Sequence, residues 1–167
     1  MDTLIFILNL ISHGSTIAFI IIFIIGVVIW FKGILPVLLR VGNGLAKREI
    51  AIFARGDNLV SLKNLLLDSG LFKKSNILEI STNGDIGKAE DKTVYLIFWH
   101  DWSERIDDIL SQVKDKTALI VYAPQELGFI PPDAMAKLNE KRNVMVTNFR
   151  GRLLNDITTS IITTSYK

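Results

Sequence analysis

The chain has 167 residues, 49% of them apolar, with 19 basic and 17 acidic side chains and a formal net charge of +2. That balance lacks the basic footprint of a DNA-binding protein. The absence of cysteine excludes disulfides, thiolate nucleophiles and cysteine zinc sites, and it suits a reducing compartment.

The first element is an apolar run from Leu4 to Phe31, broken only around Asn9 to Thr16 and followed by Lys32. A helix needs about 20 apolar residues to cross a hydrocarbon core about 30 Å thick, and Ile17 to Phe31 supplies most of them. Residues 1–32 therefore read as one transmembrane anchor, too short in apolar content for a hairpin of two spans. Met1-Asp2-Thr3 has no side-chain cation and Val28 to Lys32 no small-residue cleavage site, so the segment is retained and not processed. Lys32, Arg40, Lys47 and Arg48 follow the span and Asp2 precedes it. The positive-inside bias then puts the N-terminus outside and the C-terminal domain in the cytoplasm, in a single-pass protein of the inner (cytoplasmic) membrane. Asn9, Ser12, His13 and Thr16 recur at three- and four-residue spacing and share one helical face, either inside an oligomer or in the outer headgroup region. Gly14 and Ala18 form a small-xxx-small pair that allows close helix approach, which makes a homo-oligomer the expected assembly. Residues 33–46 read as a short joint, kinked or restarted at Pro36 and ended by Gly42-Asn43-Gly44.

Residues 47–167 alternate apolar runs with helical patterns. Strands are expected at Ile50–Ala54, Asn76–Ser81, Thr93–Trp99, Thr117–Ala123 and Asn143–Phe149. Helices are expected at Asn58–Phe72, with Leu59, Leu62, Leu66 and Leu71 inward, and at Glu104–Lys114, Pro131–Lys141 and Leu153–Thr164. Alternation of this kind predicts an α/β domain: a five-stranded doubly wound parallel sheet of Rossmann or flavodoxin-like type, in the order 2-1-3-4-5.

Ligands in such sheets bind beyond the carboxyl ends of the strands. After the first strand come Arg55, Gly56, Asp57 and Asn58, a turn glycine with N-cap residues able to present N–H groups to an anion. After the third come Trp99, His100 and Trp102, two rings able to sandwich a base and a general acid or base. After the fifth come Asn148, Arg150 and Arg152, two guanidinium groups able to grip phosphate. Each also has a structural reading: helix caps, core aromatics, salt bridges. Glycine-rich phosphate loops and H-E-x-x-H are absent. Two histidines leave little for a metal site, and neither a metal nor a cofactor is expected.

A receiver domain would need an acidic pair after the first strand and a lysine after the fifth, and this chain has neither. The order of elements, with its N-terminal membrane helix, resembles CRISPR-associated Rossmann-fold (CARF) sensors and TIR domains. Resemblance to CARF membrane effectors implies a homo-oligomer in antiphage defence. Its cytoplasmic domain would bind a cyclic nucleotide and rearrange the membrane helices into a pore lined by the Asn9, Ser12, His13 and Thr16 stripe. Resemblance to TIR domains implies NAD cleavage, with Glu104 or His100 as the catalytic group and Trp99 or Trp102 on the ring. A third reading is a non-catalytic scaffold that recruits a protein partner to the membrane, for instance through the β-branched stretch from Thr158 to Tyr166.

Overall fold

The computed structural model describes residues 2–164, together with all side chains in that range except those of residues 2, 4–12, 40, 41 and 43–47. It divides into two compact units, Met1–Gly42 and Asn43–Lys167.

The first unit lies within α1 (Asp2–Lys47). One stretch of that helix, His13–Leu39, is long and apolar enough to cross a membrane, with a mean hydropathy of 2.7 over its best window. Its 27 residues would reach about 40 Å at 1.5 Å per residue. Every side chain of this stretch except that of Leu35 is exposed, Phe19 at 71%. The α-helix runs through Pro36 and continues to Lys47, so the helix end expected at Gly42-Asn43-Gly44 is not seen. Proline removes one backbone hydrogen bond, and the remaining ones carry the helix past it. Of the polar stripe, His13 and Thr16 are exposed on the helix, while the Asn9 and Ser12 side chains lie outside the described residues.

In the second unit, β1 (Ile50–Phe53), β2 (Ile77–Ile80), β3 (Val94–Phe98), β4 (Ala118–Tyr122) and β5 (Val144–Thr147) form one parallel sheet in the order β2-β1-β3-β4-β5. The three central strands are uninterrupted apolar runs because both of their faces are covered. Ile50, Ile52, Val94, Leu96, Ala118 and Ile120 face one core, shared with Leu59, Leu62 and Leu66 of α2 (Gly56–Asp68) and Leu153, Ile157 and Ile161 of α6 (Arg150–Thr164). Alternate residues such as Phe53, Tyr95, Ile97 and Val121 face the other. That core is closed by Trp99 and Trp102 of α3 (Trp99–Trp102), Ile106 and Ile109 of α4 (Ile106–Gln112) and Leu138 of α5 (Pro132–Asn139).

The edges of several elements move. α2 stops at Asp68, where the Ser69 hydroxyl donates to the Leu66 carbonyl and Gly70 takes φ +70°. The helical period is lost there, so Leu71 is exposed and Phe72 is buried in its place. The expected Glu104–Lys114 helix begins earlier and in pieces: α3, a 3-10 turn at Ser103–Arg105, then α4. A further 3-10 segment, Asn83–Ala89, follows β2, and α6 starts at Arg150 instead of Leu153.

Candidate functional site at the carboxyl ends of the strands

Neighbouring connections turn to opposite faces between β1 and β3, the place where a ligand crevice is expected. Arg55 leaves β1 extended (φ −124°, ψ 153°) and caps α2, and Gly56 follows at φ +49°, a conformation that favours glycine. The positive end of α2 already has a negative partner. The Arg55 backbone N–H donates to Asp101 Oδ2 at 2.7 Å, and Asn58 Nδ2 donates to the same carboxylate at 3.2 and 3.3 Å. Asp101 belongs to α3, directly beyond β3, and its carboxylate takes the place at this helix N-terminus that a bound anion would take.

The Arg55 side chain is also engaged. Its guanidinium carbon stands 4.8 Å from the centroid of the Trp102 ring, and one of its nitrogens donates to Asn83 Oδ1 at 2.9 Å, tying together the segments after β1, β2 and β3. Trp102 is fully buried and meets Phe53 edge to face at 5.6 Å. Its Nε1 has no hydrogen-bond partner among the described residues.

The expectation that Trp99 and Trp102 sandwich a base is therefore corrected: both are core side chains, driven inward because the loop after β3 folds straight into a helical turn over the sheet. The structure does bring Arg55, Gly56, Asn58 and Trp102 together, but around Asp101. Asp57 is exposed in the first turn of α2, and His100 and Glu104 are exposed on their turns.

The carboxyl ends of β4 and β5 are open. One cleft of about 380 Å³ is lined by Ala123, Gln125, Phe129, Ile130, Val146 and Asn148, among others. A second, of about 470 Å³, is lined by Tyr122, Gln125, Glu126, Asn148, Phe149 and Arg150, among others. They share Gln125 and Asn148. Gly128, which lines the first cleft, has φ +106° and ψ 172°, backbone that a side chain resists, and it turns the Pro124–Pro131 loop so that Phe129 stands 80% exposed. Phe149, immediately before α6, is 57% exposed. Arg150 lines the second cleft, and its guanidinium donates to the Ser61 carbonyl of α2 at 3.2 Å. Arg152 stands 3.9 Å from the buried carboxylate of Asp156, one turn further along α6, and its side chain is exposed.

Sequence reasoning missed Asp101, Asn83, Gln125, Phe129 and Phe149. Asp101 carried a signal, a carboxylate one turn past a strand end, whereas the exposure of the two phenylalanines depends on the loops. Among the described residues no group of three histidine, aspartate or glutamate side chains is arranged to hold a metal. Compared with protein-family models, curated proteins and solved structures, the chain matches none, so the functional reading rests on this geometry.

Proposed function

We propose that this chain is a membrane-anchored sensor whose α/β domain binds a nucleotide-type ligand beyond β4 and β5 and couples binding to self-association of its membrane helices. The observation that carries the reading is the pair of open clefts at these strand ends. Phe149 offers a ring face for a base, Gln125 and Asn148 offer amide donors and acceptors for a base edge, and Arg150 offers a cation for phosphate. The β1–β3 crevice supports the reading less, because Asp101 already serves the α2 N-terminus. In this proposal α1 crosses the inner membrane with its N-terminus outside and the domain in the cytoplasm. The resemblance to CARF membrane effectors supplies the form of the output, a permeability change in antiphage defence.

Calorimetric titration of the full chain in nanodiscs with cyclic oligonucleotides and NAD tests the proposal. Binding that is lost in Phe149→Ala and weakened at least tenfold in Arg150→Ala is expected. Silence across the panel would overturn it. The second reading, a scaffold that recruits a protein partner, is favoured by the exposure of Leu127, Phe129, Val146 and Phe149 around the same strand ends. The TIR-like reading loses its stacking rings, because Trp99 and Trp102 are buried.

A further inference from the structure

All five strands run parallel, so the segments leading into them share one end of the sheet, the end at which the chain arrives from α1 through Arg48 and Glu49. Every one of those segments carries a cation: Arg48 before β1, Lys73 and Lys74 before β2, Lys92 before β3, Lys114 before β4, and Lys141 and Arg142 before β5. At the opposite end, the segments directly after β2 and β4, Ser81–Gly84 and Ala123–Ile130, contain no cation. Most acids of the basic end are taken up locally. Lys92 pairs with Glu49 at 2.9 Å, and Lys114 stands 3.4 Å from Asp91 and 3.5 Å from Glu90, leaving Asp115 and Glu140. Among the described residues, Lys73, Lys74, Lys141 and Arg142 make no ion pair, and all but the half-buried Lys141 are exposed.

We infer that this end of the sheet is a docking face for the anionic headgroups of the bilayer that holds the span. Charge complementarity argues for it: cations spread over all five strand starts suit a two-dimensional field of negative charge better than one compact anion. The chain also arrives at this end and no other. Each cation brought within a Debye length of an anionic surface favours docking by about fivefold. The inference rests on the reading of α1 as a span.

Because the chain has no cysteine, single labelling sites are unambiguous. The full chain is placed in phosphatidylcholine bilayers with and without phosphatidylserine, labelled through Ser75→Cys at the basic end, Glu104→Cys at the opposite end or Ile25→Cys in the span. Quenching by nitroxide lipids reports contact with the bilayer. The expected result is that the label at position 75 enters the headgroup layer only with phosphatidylserine, while the label at 104 stays in water. Replacing Lys73, Lys74, Lys141 and Arg142 by glutamine should weaken docking by about 10²–10³-fold. Salt near 1 M, where the Debye length is about 3 Å, should release the unsubstituted domain, which keeps the test valid if the fourfold variant does not fold. A label at 75 that stays in water in both bilayers, or that behaves like the one at 104, would overturn the inference while leaving the span intact. An unquenched label at 25 would remove the span and the docking face together.

Discussion

Asp101 is the side chain whose removal separates the two ends of the strand-exit surface most sharply. In Asp101→Ala the α2 N-terminus loses a charge-assisted acceptor 2.7 Å from the Arg55 N–H, and Asn58 loses its partner. A lost N-cap acceptor costs about 0.5–2 kcal/mol, and a lost negative charge at a helix N-terminus adds about 0.3–1 kcal/mol. Arg55 is exposed, so water replaces part of the hydrogen bonding. The expected total is about 1–3 kcal/mol, read as a fall in Tm of about 4 °C for each kcal/mol in a domain of this size. Asp101→Asn keeps an acceptor and loses only the charge, so its fall should be the smaller. The assay is thermal unfolding of the full chain, followed by tryptophan fluorescence, in the presence and absence of inorganic phosphate. An emptied anion seat in Asp101→Ala should be refilled by phosphate, raising its Tm while leaving that of the native chain unchanged. A variant as stable as the native chain, or equal phosphate effects on both, would refute the assignment of Asp101 to that seat.

Trp102→Ala should cost about 3–5 kcal/mol through the cavity beside Phe53, while Trp102→Phe should cost much less, since among the described residues its indole N–H has no partner to lose; chemical denaturation distinguishes the two. Tyr95 donates to the Ala89 carbonyl at 2.7 Å, and burial raises its hydroxyl to about 12. The folded state thus holds this proton more tightly than the unfolded chain, so the stability it adds is full below about pH 10 and is lost as pH rises toward 12, an alkaline loss that Tyr95→Phe should reduce. Gly128→Ala should destabilise the Pro124–Pro131 loop by about 1–3 kcal/mol, because the native φ of +106° strains any side chain; hydrogen exchange of that loop reports it.

The sheet was legible in the sequence because β1, β3 and β4 are buried on both faces and therefore read as unbroken apolar runs. Order followed from the alternation of strands and helices and from the rule for where crossovers turn. What escaped was set by tertiary context. The acceptor for the α2 N-terminus lies 46 residues away in sequence, which no local capping pattern records. Trp99 and Trp102 read as ligand aromatics because they stand at the carboxyl end of the third strand, but the helical turn at α3 sends both inward. Conversely, nothing local in the sequence marks Phe129 and Phe149 as exposed; the turn at Gly128 and the start of α6 at Arg150 set them outward. The Gly42-Asn43-Gly44 cluster signalled a helix end, yet α1 continues through it to Lys47.

Amide hydrogen exchange of the full chain in nanodiscs, with and without whichever cyclic oligonucleotide or nicotinamide dinucleotide binds best, tests the central claim most directly. The account predicts protection concentrated in Gln125–Ile130 and Asn148–Arg152. Protection concentrated instead in Arg55–Asn58 and Trp99–Trp102, or no change anywhere, would contradict it.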